Sequence, residues 1–113
     1  MDKLKKRIIE KIIWLRLAQI LTNEQLKRGV FKIPVHLALG HESLAVAVDR
    51  SIENDDRLVL PHRNIHYNLV RMGTLREAMD EYYLKDNGIA SGHLGSMNMS
   101  NRKKNIVYTS SIL

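Results

Sequence analysis

Apolar residues recur at helical spacing from the start of the chain. Leu4, Ile8, Ile12 and Leu15 form one row and Ile9, Ile13 and Ile20 an adjacent one, with lysines opposite. A period near 3.6 predicts one long amphipathic helix from about Lys3 to Gly29. Thr22 followed by Glu24 and Gln25 reads as a restart after a break, and Gly29 as the C-terminal stop. Such a helix is expected to pack on a core or a subunit rather than lie on a membrane.

Pro34 and Gly40 disfavour regular helix between Phe31 and Gly40, which puts His36 on a loop leading into the next element. His41 to Ile52 reads as a second, largely apolar helix, and Asn54-Asp55-Asp56 as the turn that ends it. Arg57 to Pro61 is a short apolar run closed by proline, suited to an extended segment that delivers His62 and Arg63 to one end of the core. A short helix from Asn64 to Met72 follows, closed by Gly73. Thr74 with Glu77 then has the spacing of a capping box for a helix running to about Leu84. Beyond Asp86 the periodicity fades into a loop with Gly88, Gly92 and Gly95 among Ser91, Ser96 and Ser100. Ile106 to Leu113 has extended propensity.

Length and composition narrow this picture. With 113 residues the chain has room for one core, and 44% apolar against 27% charged residues suits a globular domain. A domain of this size buries only a modest share of its surface, so further chain or a partner is expected to cover its apolar faces. The absence of cysteine removes thiolate nucleophiles, disulfides and cysteine zinc sites, and fits a reducing compartment. The charged start, and the breaks at Glu10, Lys11 and Arg16, fit neither a signal peptide nor a membrane span; a cytoplasmic location is expected. The net charge of +6 is spread over the first helix, the middle and Arg102-Lys103-Lys104, with 5% aromatics and no nucleic-acid-binding motif. Nucleic acid is therefore not the expected partner.

Candidate chemistry centres on histidine and arginine. Of the five histidines, His62 and His66 would share a face if both were helical, but no glutamate lies between them in the pattern of hydrolytic zinc helices. No protein-ligated metal is assigned. Gly92-His93-Leu94-Gly95-Ser96 lacks both the Gly-Lys-Ser/Thr end of a Walker loop and the third glycine of a dinucleotide fingerprint. Arg63 beside His62 is the best candidate for anion recognition, because a planar guanidinium grips a carboxylate or phosphate through two hydrogen bonds.

Four spaced segments, taken in order, resemble the alpha subunits of thiamine-diphosphate-dependent 2-oxoacid dehydrogenases of the pyruvate, branched-chain and acetoin type. His36-Leu37-Ala38-Leu39-Gly40-His41-Glu42-Ser43-Leu44 is similar to their His-Leu-x-x-Gly-Gln-Glu-Ala segment. Asp55 to Arg63 is similar to the stretch that ends in Tyr/His-Arg, and Gly92 to Met99 to Gly-x-Gly-Gly-Ser-Met-His-Met/Leu. Ser110-Ser111-Ile112-Leu113 is similar to the Ser-Ser-x-Leu that opens the cofactor-binding core.

The resemblance implies an N-terminal part of an α/β thiamine-diphosphate-binding fold, an open parallel sheet flanked by helices, of which this fragment is the mainly α portion. Residues 1–113 would be a truncated part of that domain, with residues 1–29 as its amphipathic helix. By resemblance Arg63 would bind the diphosphate and His62 would make the neighbouring cofactor contact usually made by tyrosine. His36 would approach the 2-oxoacid as a catalytic residue, and Ser111 and Leu113 would meet the aminopyrimidine ring through their backbone groups. Ser110 would lie beside a monovalent-cation site. The thiamine ring would supply the nucleophile and electron sink for decarboxylation, while the protein binds, orients and supplies charge. A beta subunit and the remaining alpha-subunit chain are the implied partners in an α2β2 assembly. Asn98 stands where the family has histidine, Ile65 where many have a polar residue, His41 where glutamine is usual, and His93 where a small residue is usual. The Gly-Asp-Gly segment and later asparagine that ligate magnesium do not occur in these residues. The chain alone is therefore expected to be inactive. A non-catalytic remnant serving as a subunit-interaction module is the rival reading, and a small RNA-binding protein the third.

Overall fold

Helix α1 (Lys3–Lys27) opens at Asp2, whose Oδ1 accepts from the Leu4 N–H at 2.7 Å and so satisfies one of the orphan donors of the first turn. The computed structural model, which describes residues 2–110, carries the helix to Lys27 without interruption. The expected break at Thr22 does not occur. The Thr22 hydroxyl donates to the Ala18 carbonyl at 2.9 Å, so the polar side chain is satisfied inside the helix and needs no new cap. Gly29 lies just past the end with φ +70°, as its reading as a stop requires.

The buried stripe of α1 is Leu15, Ala18, Gln19 and Thr22, with Ile8, Ile12 and Trp14 partly covered. The second expected row does not reach the core: Ile9, Ile13 and Ile20 are exposed, and Leu17 and Leu21 join them. The helix thus meets the rest of the described chain mainly through its C-terminal half.

Helices α2 (Glu42–Ser51) and α3 (Ile65–Met72) pack on α1 and on each other. Ala45 and Val46 of α2 face Ile65 and Leu69 of α3 in one buried cluster with Leu15 and Tyr82. Each of the larger aliphatic side chains there contributes about 2 kcal/mol by leaving water. Gly73 ends α3 with φ +71°, its N–H donating to the Leu69 carbonyl at 2.9 Å. Helix α4 (Arg76–Tyr82) takes Leu75 rather than Thr74 as its N-cap, so the expected capping box does not form. Thr74 Oγ1 accepts from Arg76 N–H at 3.3 Å, while Glu77 is exposed and does not close the reciprocal bond.

Strands β1 (Leu58–Pro61) and β2 (Ile106–Ser110) pair in parallel, with Pro61 opposite Ser110 and a register irregularity between Leu58 and Val59. A parallel pair requires a crossover, and α3, α4 and the glycine-containing loop provide it. Among the described residues the fold is mainly helical, as expected, with one parallel strand pair where the resemblance implies an open parallel sheet. No helix among them is long and apolar enough to cross a membrane.

Candidate functional site

The segment carrying His36 is irregular, and two clamps hold it. At its far end Gln19, buried on α1, accepts from the Ala38 N–H at 2.6 Å and donates to Glu42 Oε2 at 2.8 Å. Glu42, 3% exposed, also accepts from Gly40 N–H at 3.0 Å and pairs with Arg16 at 2.7 Å. At its near end the Ser96 hydroxyl donates to the Pro34 carbonyl. His36 lies between the clamps.

The second arm of the site leaves the carboxyl end of β1. Pro61 closes the strand, and Asn64, just before α3, fixes the turn that follows. The Asn64 amide donates to the carbonyls of Pro61 and His62, each at 3.2 Å, and to that of Ser96 at 2.9 Å. Asn64 Oδ1 accepts from Asn68 Nδ2 at 2.9 Å. The two amide protons are thus shared among three carbonyls, two in the turn and one on Ser96, while Oδ1 ties the amide to α3.

These two arms bring His36, His62 and Arg63 together. The His36 and His62 rings meet edge-on with centroids 5.0 Å apart, and the Arg63 guanidinium donates to the Leu37 carbonyl. Burial, then the neighbouring His62, then Arg63 lower His36 from the ordinary histidine value, which favours the neutral imidazole near pH 7. The Nδ1 atoms of both rings are buried and have no hydrogen-bond partner among the described residues. Arg63 has no carboxylate partner among them either. Because Pro61 and Ser110 are paired, both strands end at the same edge beside this cluster, the side of a parallel sheet where ligands bind. Ser111 and Leu113 lie outside the described residues.

The remaining histidines separate. His62 and His66 do not share a face: His62 precedes α3 and meets His36, whereas His66 lies on α3, 3% exposed, edge-on to His41 at 6.0 Å. Burial, then His41, hold His66 down to about 4; the Glu42 carboxylate pulls it up and Arg63 pushes it down. Among the described residues no group of three or more histidine, aspartate or glutamate side chains is placed to hold a metal ion. His93 and Asn98 are exposed, and Ile65 is fully buried in the core.

A family model described as "Dehydrogenase E1 component" matches residues 7–113. The chain belongs to that family. Within it, the similarity is to the N-terminal region of the alpha type. The chain is 38% identical over 64 residues to the mitochondrial pyruvate dehydrogenase E1 component subunit alpha of Chaetomium thermophilum and 33% identical over 64 residues to that of Dictyostelium discoideum. Each alignment takes in 57% of this chain, and 16% and 17% of the two relatives respectively. Both relatives are mitochondrial by name, which overturns the cytoplasmic expectation. Neither cysteine content nor charge pattern separates a cytosol from a mitochondrial matrix.

Reading the sequence of this dehydrogenase E1 component chain missed two buried polar residues: Gln19, which clamps the His36 segment, and Glu81, whose carboxylate accepts from four backbone N–H groups of the glycine-containing loop. Gln19 falls on the same helical face as Leu15, Ala18 and Thr22, and Glu81 on the same face as Ala78 and Tyr82. A polar residue inside an apolar row is the signal that could have found both, since a buried amide or carboxylate must have partners.

Proposed function

We propose that residues 1–113 form the N-terminal part of the alpha subunit of a thiamine-diphosphate-dependent 2-oxoacid dehydrogenase, within an α/β fold with an open parallel sheet. Arg63 and His62 bind the cofactor, His36 approaches the 2-oxoacid, and backbone groups of Ser111 and Leu113 meet the aminopyrimidine ring. Further alpha-subunit chain and a beta subunit complete the site, and magnesium takes its ligands from there. The observation that carries this reading is the convergence of His36, His62 and Arg63 at the carboxyl end of β1.

The residues present suit an anionic cofactor and an anionic substrate. Arg63 is tethered by a carbonyl rather than neutralised by a carboxylate, so its remaining N–H groups are available for phosphate oxygens. A neutral His36 donates a ring N–H to a carboxylate or keto oxygen, and takes up or returns a proton at a ring nitrogen without first losing a fixed charge. When bound, thiamine diphosphate supplies the nucleophilic carbon and the electron sink. The chain's own part is to bind, orient and supply charge.

Titrating thiamine diphosphate with magnesium into the assembled alpha and beta subunits tests this. Arg63→Ala is expected to weaken binding roughly 10- to 100-fold, the loss of one or two charge-assisted hydrogen bonds, while leaving the fold intact. Unchanged affinity would remove Arg63 from the site. An assembled wild type that binds no cofactor would favour the interaction-module reading.

A further inference from the structure

The glycine-containing loop after α4 has the composition of an anion cradle, and it already holds an anion. Glu81, 0% exposed, points its carboxylate into the loop. Its Oε1 accepts from the backbone N–H groups of Ala90 at 2.8 Å and Gly92 at 2.9 Å, and its Oε2 from those of Leu94 and Gly95, each at 2.9 Å. In a phosphate-binding loop such donors face a ligand; here they face inward. The glycines are required for this closure. A Cβ at Gly88 would stand 2.6 Å from Glu81 Cα, and one at Gly92, where φ is +80°, 2.6 Å from the backbone of Leu84.

The residue that follows this ring touches both arms of the candidate site. Ser96 donates its hydroxyl to the Pro34 carbonyl on the His36 arm, and its own carbonyl accepts from Asn64, which also holds the His62 carbonyl. We propose that Glu81 is a positioning residue: by gathering four loop N–H groups it sets Ser96, and through Ser96 it fixes the separation of His36 from His62 and Arg63. The carboxylate touches no site residue and acts only through this chain of contacts. Its effect on cofactor affinity rests on the function proposed above; its effect on the histidine geometry does not.

Two readings on the assembled alpha and beta subunits with labelled histidines decide it: backbone hydrogen exchange at Ala90, Gly92, Leu94 and Gly95, and the ring resonances of His36 and His62. Glu81→Gln keeps the volume but turns an NH2 toward two N–H donors. Exchange at the four loop amides is expected to rise at least about tenfold, and both ring resonances are expected to move, since one net hydrogen bond is worth about a factor of ten. Glu77→Gln, on the exposed face of the same helix, is expected to change neither. Ser96→Ala, which breaks the link downstream of the ring, is expected to move the His36 resonance while leaving loop exchange as in wild type, and it serves as the deciding variant should Glu81→Gln fail to fold. Faster loop exchange with unmoved ring resonances in Glu81→Gln would overturn the proposal, leaving Glu81 a loop anchor only. So would a Ser96→Ala variant with unchanged His36. In the assembled enzyme Glu81→Gln is expected to weaken thiamine diphosphate binding about tenfold. A wild type that binds no cofactor sinks the proposed function and leaves the two resonance readings to judge Glu81.

Discussion

Two pairs of histidines meet edge-on in this molecule, and their surroundings make them different objects. His36 and His62 stand at the end of β1 beside the Arg63 guanidinium, with no carboxylate paired to that cation among the described residues. His41 and His66 stand where α2 meets α3, beside Glu42 and its partners Arg16 and Gln19. The first pair gathers ring nitrogens without a hydrogen-bond partner and a cation without a carboxylate among the described residues, which suits an anionic ligand. In the second, the His66 Nδ1 likewise has no partner among the described residues, but His66 is a neutral, buried piece of the core and the Glu42 carboxylate beside it is already paired with Arg16. Ring geometry alone would not have told a site from a core contact; the local charge balance does.

Removing the carboxylate beside the second pair should have the largest effect. Glu42→Ala would leave one buried Gln19 donor without its carboxylate acceptor, remove the acceptor of the part-buried Gly40 N–H and free Arg16. The expected cost is about 3 kcal/mol or more in urea unfolding, since an orphaned buried group loses its full desolvation penalty. Because Glu42 also holds the far end of the His36 segment, the His36 resonance should move with it. A cost under about 1 kcal/mol would mean that the network is mostly hydrated and that the two pairs are independent.

Acid should come next, and it should act through the second pair. His66 is held to about 4 against an ordinary value of 6.5, so between these limits the unfolded chain binds a proton that the folded chain refuses. Stability therefore falls as pH drops from about 6.5 toward 4, by an amount on the order of 3 kcal/mol if the fold does not relax. The groups facing His66 are His41 and Arg63, which oppose its charge, and Glu42, which favours it. His66→Phe should flatten this part of the pH profile while leaving the neutral-pH fold standing. An unchanged acid limb would assign the sensitivity to other groups.

How much of this was legible in sequence depends on the range over which each residue acts. The long helix, its stop at Gly29, the end of α3 at Gly73 and the short strand before His62 all follow from local periodicity and backbone chemistry, and all are present. The supposed restart at Thr22 failed because a threonine hydroxyl can bond within its own helix, a choice that composition does not reveal. The row Ile9, Ile13 and Ile20 was rightly read as one helical face, but the pattern cannot tell which of two adjacent faces the rest of the chain covers. Arg63 beside His62 stands out from residue chemistry alone as a candidate for anion recognition, and His36 joins them as a candidate by resemblance. What joins them is a parallel crossover and contacts such as Asn64 to Ser96, across 32 residues, that carry no periodic signal. The glycine loop carries neither a Walker nor a dinucleotide pattern, and nothing local in it shows that its backbone donors take Glu81, on the preceding helix, as their anion.

The smallest effect sharpens the first pair. Arg63 is exposed, so Arg63→Ala should change stability by no more than about 0.5 kcal/mol, as for other surface substitutions. It should nevertheless raise the pKa of His36 toward the ordinary 6.5, because one of the charges that disfavour the imidazolium is gone, while burial and His62 remain. The direction separates two accounts of the cluster. If His36 titrates higher in the variant, the guanidinium and the imidazole share one electrostatic environment, and an anion bound to Arg63 should raise His36 in the same sense. If His36 is unmoved, the guanidinium is screened from the ring by solvent, and the Arg63 contact with Leu37 orients the arginine without coupling it to the histidine pair.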